Sequence, residues 1–183
     1  MSASEDAQPV AAGAHGQLAH WRAMKRILVA TDGSLSAADA IGFAVDFASA
    51  RDAEVTFVHV VPTAEFFATT GYDDVHGAVR HEPTEHDHAL LRDAATVAAE
   101  HGVAATTVLL GGSTADEIVA YADSSGADLI VIGSRGHGPV ASVLLGNVAL
   151  GVLHASKQPV LVVRCAVPPP PPAAATDPAQ ATA

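Results

Sequence analysis

The sequence predicts an α/β domain built on a five-stranded, mostly parallel sheet with helices on both faces. Two observations lead there. Apolar residues make up 49% of the 183-residue chain while aromatics make up only 4%, so the core has to be assembled from Val, Ile, Leu and Ala, the residues that fill the space between helices and a parallel sheet. Short apolar runs also alternate with stretches of helical spacing, a pattern that specifies right-handed crossovers and a sheet covered on both sides.

The first strand runs from Arg26 to Thr31 through Ile27, Leu28, Val29 and Ala30. Ala37, Ile41, Ala44, Val45 and Ala48 then recur at helical spacing, with Ser34 or Ser36 placed to cap the helix. Glu54 to Val61 reads as the second buried strand. Pro62 to Thr84 is too long and polar for an ordinary connection and is expected to be a mobile segment or lid. A helix over Asp87 to His101 aligns Leu91, Ala94, Ala95 and Ala98, and Ala104 to Leu110 follows as a strand. Thr114 to Ser124 aligns Ala115, Ile118, Val119 and Ala122 as the next helix. Asp128 to Ile132 has the continuous apolar character of a strand buried on both faces and ends at Gly133. A last helix, about Asn147 to Ala155, leads to Pro159 to Arg164, a strand that opens with proline, as strands can.

Residues 1–23 and 166–183 lack a steady apolar period and are expected to be disordered tails around one domain, residues 24–165. The formal net charge of −11 argues against non-specific binding to nucleic acid or an anionic membrane, both of which need a basic surface. A single cysteine, Cys165, excludes an intramolecular disulfide, and no secretory or membrane-spanning run precedes Met24, so a cytoplasmic protein is expected.

In open α/β sheets ligands bind at the carboxyl ends of strands, which draws attention to Gly133-Ser134-Arg135-Gly136-His137-Gly138 and to Gly146-Asn147-Val148, joining a buried strand to a helix. Glycines there allow close backbone approach and positive φ, and the helix start offers unpaired N–H groups and the positive end of a dipole, a site for phosphate without lysine. A Walker A loop does not fit, because the nearby lysine, Lys157, lies beyond the helix. A dinucleotide fingerprint does not fit either, since Asp32-Gly33-Ser34 occupies the turn after the first strand.

The spacing Gly133-x2-Gly136-x9-Gly146 followed by a small polar residue resembles the ATP-binding signature of the universal stress protein family. Lys25 to Ser34 looks like that family's opening strand and turn, Ala127 to Gly133 like its fourth strand, and Pro159 to Arg164 like its closing strand. The resemblance implies a Rossmann-like fold of the adenine nucleotide alpha hydrolase-like kind, with ATP, ADP, AMP or cyclic AMP as a regulatory ligand. It implies that Asp32 and the backbone of Ala30 and Val55 hold the adenosine end, that Gly133 lies near the ribose, and that Gly136, Gly146, Asn147 and Val148 surround the phosphates, with Mg or Mn accompanying a triphosphate. Asn147 stands where the signature has Ser or Thr. Family resemblance also points to a homodimer paired edge to edge through Val160 to Val163, an apolar strand that would otherwise be exposed.

Other readings stay open beside these. The glycine loop could be a structural turn, and Asp32 could cap the first helix. The cluster of His76, His81, His86 and His88 with Asp73, Asp74, Glu82, Glu85 and Asp87 reads as a charged segment rather than a metal site, His59 as a satisfied sheet histidine, and Arg135 and His137 as solvated loop residues. No nucleophile is accompanied by a base and an orienting partner. The rivals to a nucleotide-binding regulator are a slow ATP hydrolase and a nucleotide-free dimeric scaffold.

Overall fold

The structure, a computed structural model, describes residues 24–70, 73–80, 82–136 and 145–164. Its elements are β1 (Arg26–Ala30), α1 (Leu35–Ser49), β2 (Glu54–Thr70), β3 (Asp73–Arg80), α2 (Glu85–Glu100), β4 (Ala105–Gly112), α3 (Thr114–Ser125), β5 (Leu129–Gly133), α4 (Asn147–Ala155) and β6 (Val160–Val163). Five strands run parallel in the order β4-β2-β1-β5-β6. The chain moves outward from β1 through β2 to β4, then returns to the other side of β1 for β5 and β6. The direction of winding therefore reverses between β1 and β5, and at such a switch point the loops above adjacent strands splay apart and leave a crevice.

One segment departs from the expected irregular connection. β2 continues past Val61 as far as Thr70, and β3 returns antiparallel to it, from Thr70 opposite Asp73 to Thr63 opposite Arg80. The β-favouring residues Phe66, Phe67, Thr69, Thr70, Val75 and Val79 explain why this polar stretch forms a hairpin arm.

Strand periodicity divides the core into two layers. Ile27, Val29, Val55 and Phe57 point toward α1 and α2, where they meet Ile41, Val45, Leu91 and Ala98. Leu28, Ala30, Val58 and Val60 point the other way, toward Ile118 and Ala122 of α3 and Ala149 and Val152 of α4. Alanines on the inner helix faces, such as Ala40, Ala44 and Ala48, are completely or almost completely buried and let α1 lie close to the sheet. Removing one of the large central side chains, for example Ile130→Ala, would cost about 2–5 kcal/mol through lost transfer energy and the cavity left behind.

Local signals set the helix limits. Ser34 is the N-cap of α1, its hydroxyl accepting from the Ala37 N–H, so Ser36 is inside the helix. Thr84 and Asp87 form a reciprocal capping box that starts α2 two residues before the expected Asp87. α3 stops at Gly126, whose φ of 67° is the left-handed conformation that glycine adopts without strain.

Candidate functional site

The first turn after β5 is fastened to the start of α1. The Ser34 hydroxyl donates to the Arg135 carbonyl at 3.2 Å, the Ser36 hydroxyl donates to the same carbonyl, and the Arg135 N–H donates back to Ser36 Oγ at 3.2 Å. This packing explains Gly133: a Cβ there would lie 2.5 Å from Ser36 Oγ and 2.7 Å from the Ser36 carbonyl carbon. A Cβ on Gly136 would collide with the Asp32 carboxylate. The expected positive φ is absent at Gly133, Gly136 and Gly146; Gly133 and Gly136 provide room for their neighbours rather than a left-handed turn. The Gly146 N–H donates to the Ser134 carbonyl at 2.8 Å and joins the two described ends of the loop.

Above this base a cleft of about 150 Å³ opens between α3 and α4 at the carboxyl ends of β1 and β5, beside β2. Ala30, Asp32, Gly133, Gly136, Gly146, Asn147 and Val148 all line it. Val55 does not. It pairs with Ile27 and is 1% exposed in the α1/α2 layer of the core. Ala30, by contrast, pairs with Val58, so Val55 lies three residues, or roughly 10 Å, below the rim and on the opposite face. The β2 residues in the cleft are Val58 and Val60. Strand parity carries that signal, since in parallel register with Ala30 the even-numbered positions of β2 share its face.

Asp32 is not the helix cap. Its Oδ1 accepts from the Ser34 N–H at 3.0 Å, a local turn that places the carboxylate under Gly136 at the cleft wall. Asn147 is the first residue of α4, as expected, with Gly146 in the cap position.

The two helices bordering the cleft begin alike in one respect. The α3 cap Ser113 makes no side-chain bond to its helix, and the α4 cap Gly146 has no side chain with which to make one. Their first turns differ in charge. Asp116 and Glu117 occupy that of α3, whereas that of α4 contains no acidic residue. The positive end of the α4 dipole is therefore the one available to an external anion.

Residue-type reasoning missed several cleft residues. Thr114 and Ile118 contribute the α3 wall, and Thr31 and Ser134 also border the space. Ser134 is 1% exposed, and its Oγ has no hydrogen-bond partner among the described residues. An unsatisfied buried hydroxyl costs about 1–3 kcal/mol, so its presence beside a cleft marks a place where a polar ligand atom would be favourable. Its position within Gly133-Ser134-Arg135-Gly136 was the available sequence signal.

His59 is a buried sheet histidine whose two ring nitrogens each face an oxygen. Nδ1 lies 2.8 Å from the Thr31 carbonyl oxygen and Nε2 lies 3.0 Å from Asp87 Oδ1. The Thr84 hydroxyl and N–H hold the Asp87 carboxyl down at about 2, with His59 adding to the effect. Among the described residues no group of three or more His, Cys, Asp or Glu could hold a metal ion. No helix among them is long and apolar enough to cross a membrane. Cys165, His137 and both terminal segments lie outside the described residues.

Comparison with known proteins agrees with this geometry. The universal stress protein family matches residues 24–164. Universal stress protein YxiE of Bacillus subtilis is 37% identical over 145 residues, covering 76% of this chain and 98% of the relative. Universal stress protein MJ0531 of Methanocaldococcus jannaschii is 35% identical over 143 residues, covering 76% of this chain and 82% of the relative. A universal stress protein solved in complex with cAMP superposes with a TM-score of 0.59 at 28% identity, covering 78% of this chain and 98% of that one. With the parallel sheet, the flanking helices and the cleft at the switch point among its described residues, the chain belongs to the universal stress protein family.

Proposed function

We propose that this protein binds ATP or a related adenine nucleotide in the cleft as a regulatory ligand. The observation that carries the reading is the start of α4, where a helix without a side-chain cap or first-turn carboxylate meets the cleft beside the unpartnered Ser134 hydroxyl. Phosphates would accept from the N–H groups of Asn147 and Val148, with Gly136 and Gly146 leaving space for them. Asp32 and the backbone of Ala30 and Thr31 would hold the nucleoside end, the Val58, Val60 and Ile118 side chains would pack against the base, and Gly133 would lie near the ribose. ADP, AMP and cyclic AMP share this adenosine end, and the structure solved with cAMP is a relative consistent with that class. The described residues do not fit a protein-built metal cage, so Mg or Mn would be held chiefly by the triphosphate that carries it.

The reading extends to a cytosolic homodimer formed by residues 24–165. β6 pairs only with β5 among the described strands, and its residues are half-buried. Leu150 and Leu153 of neighbouring α4 are 45% and 42% exposed. A second β6 would satisfy the free edge. Sedimentation at micromolar concentration is expected to give a dimer, and a folded monomer would remove that assignment.

Acid extraction of purified protein, followed by identification of released nucleotide and by titration with ATP, tests the binding reading. Adenine nucleotide without turnover supports it. Steady release of ADP and phosphate from added ATP would assign a hydrolase instead, and an empty protein that takes up no adenine nucleotide would leave the scaffold reading.

A further inference from the structure

The sequence motifs leave His59 with no role beyond packing, yet its two ring nitrogens connect two elements that the nucleotide reading keeps separate. Nδ1 faces the carbonyl of Thr31, the residue that leaves β1 into the cleft wall, and Nε2 faces Asp87 in the first turn of α2. The α2 helix begins soon after the hairpin arm returns through β3. The ring, 8% exposed, thus links the cleft floor to the helix that follows the arm.

The chemistry of the partners decides the ring's bonding state. A peptide carbonyl is only an acceptor, and so is an ionised carboxylate. Asp87 is ionised above strongly acid pH, because Thr84 donates to it from its N–H at 2.7 Å and its hydroxyl at 2.6 Å. Both contacts are hydrogen bonds only when each ring nitrogen bears a proton, that is, in the imidazolium form. A neutral ring keeps one donor and sets a lone pair against the other oxygen.

We propose that His59 is a pH-dependent positioning residue: as imidazolium it clamps the Thr31 peptide of the cleft to Asp87 of α2, and on deprotonation it releases one of the two. The affinity consequence rests on the adenine-nucleotide reading of the cleft; the clamp itself does not. Among the described residues, the hydrogen bonds and ion pairs of the other charged groups nearby do not replace either contact. Asp32 directs its Oδ1 to the Ser34 N–H, the paired β4 position is the apolar Leu109, His86 and His88 are exposed, and Arg92 is paired with Glu85. The clamp is complete while both ring nitrogens carry a proton, toward the acid end of a titration, and is lost once either proton is released as pH rises.

Nitrogen-15 and carbon-13 NMR of the ligand-free full chain tests the clamp without a substitution. Both ring nitrogens of His59 are expected to be protonated at the acid end, and the Thr31 carbonyl and Asp87 amide resonances are expected to move with the same midpoint as the ring. A ring that stays neutral throughout, or one that titrates while Thr31 and Asp87 stay still, overturns the proposal. The consequence for the site is read by titrating ATP at pH 5.5 and pH 8.5 into wild type and His59→Gln, whose amide does not titrate. Both proteins share the ionisation of ATP and of the exposed histidines, so only the excess in wild type counts. Wild-type affinity is expected to fall by roughly three- to tenfold more than that of the variant, the weight of one hydrogen bond. Equal pH profiles with ATP bound would overturn the positioning role. Absence of ATP binding at either pH would instead strike the nucleotide reading, while the resonances still decide the clamp.

Discussion

On one face of the sheet, α1 and α2 begin with side chains that bond their own first turns; on the other, α3 and α4 begin without them. The two faces bury similar aliphatic layers, so the difference is not one of core packing. It lies in where backbone N–H groups are left for something outside the chain. Ser34 and Thr84 close the first face, whereas Ser113 and Gly146 leave the second open, and the cleft lies on the open side. Within that side the carboxylates of Asp116 and Glu117 already answer the α3 dipole, which leaves α4 as the pole for an anion.

The largest expected effect comes from filling the open side. A Cβ on Gly146 would meet only ordinary contacts, 3.5 Å from the Ser134 carbonyl oxygen, so Gly146→Val should fold while its branched side chain occupies the phosphate path. Calorimetric ATP affinity is expected to drop by roughly a hundredfold or more, about 3 kcal/mol, with thermal unfolding little changed. Unaltered affinity would place the ligand elsewhere.

A second substitution pair compares the faces directly. Ser34→Ala removes a hydroxyl that accepts from Ala37 and donates to Arg135, and is expected to cost about 1–2 kcal/mol in denaturant unfolding. Ser113→Ala removes a cap side chain that makes no bond to its helix, and should stay within about 0.5 kcal/mol of wild type. Similar losses at both positions would erase the distinction between the closed and open faces.

The closed face also has an acid signature. Asp87 has its carboxyl lowered from 3.8 to about 2, first by the Thr84 hydroxyl and then by the Thr84 N–H. A depressed carboxyl contributes stability that is fully present above the unfolded value and is lost as pH falls through the folded one. Wild type should therefore weaken between about pH 4 and pH 2, and the corresponding part of that slope should be missing in Asp87→Asn. Unfolding curves with the same acid slope in both proteins would contradict the capping box as its source.

The smallest effects sharpen the assignment of the anion pole. Asn147→Asp places a carboxylate in the first turn of α4, where the dipole stabilises it by about 0.3–1 kcal/mol but where it repels phosphate. Stability should hold or rise while ATP affinity falls, and Asn147→Ser should bind at least as well as wild type. Asn147→Ala is expected to lose about 1 kcal/mol of affinity if its amide contacts phosphate. Ser134→Ala should leave the free protein as stable or slightly more so, because it removes an unsatisfied hydroxyl, and should weaken the nucleotide complex by roughly fivefold.

Much of this architecture was legible because the core strands are short apolar runs bounded by helix caps. Arg26 to Ala30, Leu129 to Gly133 and Val160 to Val163 emerged within a residue or so of their expected limits. The hairpin was not legible in the same way: Pro62 and the density of polar residues obscured the β-favouring positions between them. At the site, the loop glycines and Asp32 could be found because residue type alone marks a close approach or a turn. Val55 could not be separated from Val58 and Val60 by residue type, since all are valines on one strand and only register and parity decide which reaches the rim. Thr114 and Ile118 became visible only once the crossover had brought α3 across the sheet.

Amide NMR of the full chain during titration with ATP, repeated on Gly146→Val, is the most direct test that the open face receives the nucleotide through the start of α4. In wild type the amides of residues 133–136 and 146–149 should shift first and furthest, those of 36–38 and 86–88 at the capped starts of α1 and α2 much less, and the Gly146→Val spectrum should stay unchanged on adding ATP. Shifts centred on the α1 or α2 starts, or the same shifts in both proteins, would contradict it.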